Sequence, residues 1–422
     1  MNGLSTRPGD RVVDWWVRSR LCLRTNRWPD RDRVRAVSLF MLIAYVPMCA
    51  HFFAEATGRV GSDFQAFWGA GRLVMAGMPW DAFNLAAERA AQAPAHTGVM
   101  VPFVNPPPYL LLAAPLGLMP YPAAWLVWVI TGWALWFAVC RRLCPGEPLM
   151  ILACPAAFLA AYHAQNGLVT GALLVAGVTL MARRQTGSAG RHADVLAGVL
   201  FGALVIKPHL ALLVPLWLIA GRRWHTLGAM VLSAVAFCLV SLAVFGPATW
   251  LAYPHSFHVT AMLLTQGAGQ LFLRMATPYA LLRTTINPHV ALAGQAVITV
   301  ASASLVWRQT RQHGTNAGTG ALMLAATTVA SPYLFSYDLA YWVQPVLWLV
   351  TMAREAGWRA WEKPAVIALW LAPLATRAAA LPLHANLLPL AGVALVAMIA
   401  TRLRAPQVMP GAAPAVLPRP AR

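Results

Sequence analysis

Twelve apolar segments separated by short arginine clusters constrain this chain more than any other feature of its sequence. They fall at about 36–54, 109–139, 149–164, 167–182, 195–206, 208–221, 226–246, 289–307, 320–334, 339–353, 364–380 and 387–403. Several approach the roughly 20 residues that a membrane-spanning helix requires. Of the 422 residues 59% are hydrophobic and only 11% are charged, about half the charge of a soluble domain. A soluble globular enzyme is excluded, and so is a disordered or fibrous chain. The expected fold is all-α: a polytopic helical membrane protein of about twelve transmembrane helices.

The formal charge of +19 would suggest nucleic acid on a soluble chain. Here the basic residues are 30 arginines and two lysines, and most sit between apolar segments. They read as topology anchors, so no nucleic-acid partner is expected. With the N-terminus cytoplasmic, 25 of the 32 basic residues fall on the inner side and seven on the outer. The six cysteines form no CxxC pair, which indicates neither a disulfide framework nor a zinc site. Residues 1–35, with nine Arg and four Asp, read as a basic cytoplasmic tail. Residues 404–422, rich in Pro and Ala, read as a second cytoplasmic tail without fixed structure. Between them lies one membrane domain, 36–403.

Inner loops are short and tipped with arginine, whereas two outer loops, 55–108 and 247–288, are long. Both contain mixed apolar and polar stretches suited to interfacial helices. This asymmetry places the chemistry on the outer, non-cytoplasmic face. There Asp63 stands out. Ser62 and Gln65 around it have the spacing of a capping box, so a helix is expected to start here. Phe64, Phe67, Trp68, Gly71 and Met75 then share one face, as in an amphipathic helix lying on the membrane. An aspartate in a first helical turn is also explained by the helix dipole alone. A carboxylate held near lipid headgroups is equally well placed as a general base.

Lys207, followed by Pro208, interrupts an apolar stretch from Val195 to Gly221. Its ammonium could hold a phosphate at the membrane surface or snorkel to the interface. In the run Ser331–Leu339, Asp338 could cap the following helix or bind a sugar hydroxyl, with Tyr337 beside it. Gln165-Asn166-Gly167 offers amide hydrogen bonds in what is otherwise a helix-hairpin turn. His255 and His258, at i and i+3, are compatible with a metal or a phosphate, but two histidines without a third ligand indicate no metal site. Asn105 and the three prolines after it form a rigid entry to the second segment. Walker A, GxSxG and dinucleotide-binding patterns are missing, so cytosolic nucleotide use has no support.

Taken in order, five stretches resemble the family 87 glycosyltransferases, bacterial membrane proteins with the GT-C architecture. They are Asp63–Gly71 with Gly77, Asn105–Tyr109 with Pro115–Pro120, Gln165–Gly167, Gly202–Pro208 and Ser331–Asp338. The sequence departs from the family pattern at Ala164, where a glycine is expected, and at Trp80, where a tyrosine is frequent. The resemblance implies a polyprenyl-phosphate-sugar-dependent, mannosyltransferase-like enzyme at the outer face of the bacterial inner membrane. It implies the carboxylate of the first outer loop, Asp63, as catalytic base, with inversion at the anomeric carbon. Lys207, His255, His258 and Arg274 are the candidates for the donor phosphate, and Gln165, Asn166, Tyr337 and Asp338 for sugar or acceptor. The expected partners are a polyprenyl-phosphate sugar, a lipid or glycan acceptor and membrane lipids. The lipid-linked sugar is a co-substrate, and no metal or other cofactor is required. A transporter or flippase of similar hydropathy is the main rival, favoured by the Lys207-Pro208 break. A scaffold without activity is a third.

Overall fold

The computed structural model describes residues 30–182, 187–266 and 268–404. Most of the two expected tails, 1–29 and 405–422, lies outside the described residues, as do Arg183 and Arg184.

The architecture is all-helical, and among the described residues the only β-type pairing is a bridge between Met275 and Phe335. In chain order the helices begin with α1 (Arg31–Ala56), α2 (Phe64–Met75), α3 (Leu85–Gln92), α4 (Leu110–Ala113) and α5 (Tyr121–Cys140). Next come α6 (Pro148–Leu152), α7 (Pro155–Tyr162), α8 (Gly167–Ala182), α9 (Gly187–Gly202) and α10 (Val214–Ala220). The third group is α11 (Trp224–Ala252), α12 (His255–Gln266), α13 (Ala268–Phe272) and α14 (Pro278–Arg283). The last five are α15 (Pro288–His313), α16 (Ala317–Ala330), α17 (Val343–Ala356), α18 (Glu362–Leu383) and α19 (Leu388–Arg404). Among the described residues six helices are long and apolar enough to cross a membrane: α1, α5, α9 with its extension to Ile206, α11, α15 and α18.

Their surfaces show which solvent they face. Leu232 on α11 is 73% exposed and Val297 on α15 is 69% exposed, each amid further exposed Val and Leu. In water such faces would be driven together; in hydrocarbon they need no cover. Packing inside the bundle therefore depends on close backbone approach. Gly198 and Gly202 of α9 show it, since a Cβ at either would lie 2.5 Å from a carbonyl oxygen of α11, Thr226 or Met230. This is the small-xxx-small spacing that lets membrane helices touch.

The centre is α16, where every residue from Gly318 to Ala330 is buried. Its small side chains admit α8, α15, α17 and α19 around it. Buried hydroxyls are satisfied locally: Thr328 Oγ1 shares a 2.7 Å hydrogen bond with the Tyr341 hydroxyl and accepts one of 2.8 Å from Trp342 Nε1.

Two expectations are corrected. The apolar run 109–139 is not one span. Residues 107–118 form short turns and α4, and α5 starts afresh at Tyr121. Pro120 and Pro122 explain the restart, because proline breaks a helix interior but fits a first turn. Nor does α2 lie on a surface, because Phe64 to Gly71 are all buried, packed against α3 and residues 114–118. Only Met75 at its end is exposed.

The long loop 55–108 contains a buried carboxyl. Both Glu88 oxygens accept from the Phe103 backbone N–H, at 2.9 and 3.0 Å. Burial raises its pKa to about 9, although that hydrogen bond opposes the shift. Between the unfolded pKa near 4.5 and this value the folded state holds a proton the unfolded chain has released, so stability falls as pH rises. Glu88→Gln keeps an acceptor for Phe103 and has no proton to lose. Melting curves of the purified protein are expected to show little difference at pH 5 and a growing advantage for the variant towards pH 9.

Candidate active site

The site begins where α2 begins. Asp63 sits at the N-terminal boundary of α2 with helical dihedrals, and its side chain makes no capping hydrogen bond. The expected capping box is not formed. Ser62 Oγ pairs instead with the Tyr121 hydroxyl at 3.1 Å. Gln65 Nε2 donates to Thr97 Oγ1 and to the Val99 carbonyl, at 2.6 and 3.1 Å. The Asp63 carboxylate is thereby left free of its own helix. It accepts a 2.8 Å hydrogen bond from Gln165 Nε2 and lines a cavity of about 540 Å³.

Gln165 is aimed by the turn between α7 and α8. Ala164 there has φ of +46°, in the left-handed region. A Cβ is disfavoured in that region, which gives glycine at this point a physical reason. The carbonyl of Ala164 accepts from Trp128 Nε1 at 3.1 Å, which anchors the turn to α5. At Gly167 the backbone of α8 meets the loop before α17, so that a Cβ would lie 2.0 Å from the Tyr337 carbonyl oxygen. Glycine is required there by contact.

That close approach brings Asn166, Lys207 and Asp338 together. Lys207 Nζ donates to Asn166 Oδ1 at 2.9 Å and forms an ion pair with Asp338 Oδ1 at 2.5 Å. Asp338 Oδ2 accepts from the Phe335 backbone N–H at 3.1 Å, and Asp338 is fully buried. Lys207 is on the cavity wall, whereas Asn166 and Asp338 lie behind it. The structure thus uses these two residues to hold the lysine rather than to face the cavity. The lysine charge is matched by the carboxylate, and Nζ also lies 5.4 Å from the centre of the Tyr337 ring. Lys207 itself, with φ of −153°, separates the 3-10 turns Ala203–Ile206 and Pro208–Ala211.

Tyr337 and Arg274 also line the cavity. Arg274 reaches it because residues 274–276 run alongside 334–336. The Arg274 carbonyl accepts from Ser336 N at 3.0 Å, and Ala276 N donates to the Leu334 carbonyl at 2.8 Å. Arg274 Nε is buried without a hydrogen-bond partner. By contrast, His255 and His258 of α12 are exposed and are not on the wall, where α12 contributes Phe257, Thr260 and Leu263. Among the described residues no group of three or more His, Cys, Asp and Glu converges.

Arg377, His163 and His209 also line the wall, although the sequence gives them no role. Arg377 is a lone charge deep in the apolar run of α18, and an ionisable residue inside a span is itself a functional signal. His163 follows α7 in the turn before Gln165 and has no such signal. Burial holds its pKa down to about 4; Asp63 opposes that shift, and Arg377 and Arg274 reinforce it. Its ring is therefore neutral at physiological pH. The cavity combines one carboxylate, two guanidinium groups, the Lys207 ammonium and two imidazoles, His163 and His209, with an aromatic wall, where the Phe335 and Tyr337 rings stack at 5.0 Å. A carboxylate facing cations across a partly apolar cavity can take a proton from a nucleophile and stabilise an anionic leaving group.

The family model for glycosyltransferase family 87 matches residues 103–336. No curated protein and no solved structure matches the chain. The matched region carries the Gln165 turn, Lys207, Arg274 and the Ser331–Ser336 loop, while Asp63 and Arg377 enter the same cavity from outside it. More than half of the chain is covered, and the protein belongs to glycosyltransferase family 87.

Proposed function

We propose that this glycosyltransferase moves a mannose-like hexose from a polyprenyl-phosphate donor to a lipid-linked or glycan acceptor, with Asp63 as general base. One observation carries the reading: the Asp63 carboxylate, unused by its own helix, is held by Gln165 on a cavity that also presents Arg274 and Arg377. A cavity of about 540 Å³ is within the range for small-molecule sites. Phe257, Leu263 and Leu271 offer an apolar flank for the first prenyl units.

The acceptor hydroxyl gives its proton to Asp63 while its oxygen bonds to the anomeric carbon from the face opposite the phosphate. The bond between that carbon and the phosphate oxygen breaks, and its electron pair leaves with polyprenyl phosphate. A phosphodiester with one negative charge becomes a monoester with two. Arg274 and Arg377 supply the charge that meets this increase. Lys207, already matched by Asp338, positions the Tyr337 side of the wall and adds little net field. The lipid-linked donor is the co-substrate, and the scheme gives no step to a metal or other cofactor. The location proposed is the outer face of a bacterial inner membrane, with both termini cytoplasmic. The support is the 25-to-7 division of basic residues, which puts the Asp63 end of the bundle outside.

Purified protein in proteoliposomes, given labelled polyprenyl-phosphate-mannose and a bacterial lipid extract, is expected to form a labelled product. Nucleotide-linked mannose is expected to give none. Transfer from the nucleotide sugar by purified protein would sink the donor assignment, and label crossing the bilayer without covalent transfer would revive the transporter reading.

A further inference from the structure

Arg274 and Ser336 both line the cavity, and each keeps a buried polar atom, Nε and Oγ, that has no hydrogen-bond partner among the described residues. Ser336 is only 1% exposed. The backbone sets these two residues face to face. Ser336 N donates to the Arg274 carbonyl at 3.0 Å, beside the antiparallel bridge of Met275 with Phe335. Residues opposite each other in such a pairing have Cβ atoms about 4.5–5.5 Å apart on one face.

Buried polar groups are ordinarily satisfied, and one left unpaired costs free energy. The same loop meets that demand at its other polar side chains. Ser331 Oγ donates to the Tyr333 carbonyl at 3.1 Å, and Asp338 Oδ2 accepts from the Phe335 N–H. Ser336 is the exception. The acids at the site do not supply what is missing, because Asp63 is held by Gln165 and Asp338 by Lys207. A guanidinium Nε–H can only donate, and a serine hydroxyl can turn to donate beside it. Two adjacent unpartnered donors suit an anion.

We propose that Ser336 is a further binding residue for the donor phosphate, its hydroxyl donating to a phosphate oxygen together with Arg274 Nε–H. The proposal rests on the polyprenyl-phosphate donor assigned to this enzyme and adds direction to the charge of Arg274. A serine side chain changes position by rotation about one bond, so the backbone pairing stays intact. Both hydrogen bonds strengthen as the phosphate gains its second negative charge.

The test reads binding without transfer. The purified full chain is titrated with farnesyl phosphate, a short prenyl monophosphate, and with farnesol and inorganic phosphate, while melting is followed. Wild type is expected to melt several degrees higher with farnesyl phosphate and to respond to neither of the others. Without ligand, Ser336→Ala is expected to melt no lower than wild type, because the hydroxyl holds nothing inside the protein. Its affinity for farnesyl phosphate is expected to fall about 10–100-fold, the size of one hydrogen bond to a charged partner. In an Arg274→Gln background the same substitution should cost much less, since the two donors hold one group. Equal affinity of wild type and Ser336→Ala would overturn the proposal. So would a lower melting point of the unliganded variant, an equal response to inorganic phosphate, or no response of wild type to farnesyl phosphate. Failure of the transfer reading has a different signature: farnesyl phosphate would bind through Ser336, yet labelled donor would give no product.

Discussion

Asp63→Asn is expected to reduce sugar transfer by about 10²–10⁴-fold, the range a positioned general base contributes. Asparagine has nearly the same shape, and its carbonyl oxygen can still accept from Gln165 Nε2, so the wall of the cavity is preserved. No capping bond is lost either, because the wild-type side chain makes none. Membrane abundance and melting temperature should therefore match wild type while transfer disappears. The measurement is product formation from labelled donor at equal protein, against membranes lacking the protein. Transfer at the wild-type rate would remove Asp63 from the chemistry. Since Asp338 is buried behind Lys207, it would not be a ready substitute.

The second large effect is one of stability. Lys207→Met leaves Asp338 fully buried with only the Phe335 N–H to compensate it. Removing one partner of a buried ion pair costs about 3–5 kcal/mol, because the other charge stays without a match. Asn166 Oδ1 loses its donor at the same time. The double variant Lys207→Met, Asp338→Asn removes both charges and is expected to recover a large part of the loss. Denaturation of the three variants in detergent, analysed as a double-mutant cycle, measures the coupling. Additive effects would mean that the pair does not act as a unit. Because the pair fixes the loop against Gly167, transfer should fall with stability in the single variant and return in part in the double.

Hydrophobic patterning made the membrane class readable without coordinates, since a long apolar run can satisfy its backbone in lipid only as a helix. The runs 36–54, 167–182 and 364–380 match α1, α8 and α18 to within a few residues where the ends are polar or capped. Prediction failed where length and hydropathy met proline. Residues 109–139 are apolar throughout, yet Pro115, Pro120 and Pro122 divide them into packed turns with the short α4 and the separate long helix α5. The helical face of Phe64, Phe67 and Trp68 was legible, but periodicity does not say whether such a face meets lipid or protein. In α2 it meets protein on nearly every side.

The ingredients of the site are legible along the chain: a carboxylate at a helix start, a lysine in a broken span, an amide turn and a polar loop before α17. These were visible because a charge or a break in an apolar run is costly and rare. Their pairing is set by how the helices pack. Packing took Asp338 out of the cavity to match Lys207, turned Gln165 onto Asp63, left His255 and His258 outside and brought Arg377 in from α18. Lys207 and Asp338 are 131 residues apart in the chain, and Asp63 and Gln165 are 102 apart. What joins them is the contact of Gly167 with Tyr337 and the packing around α16, neither of which leaves a local pattern in the sequence.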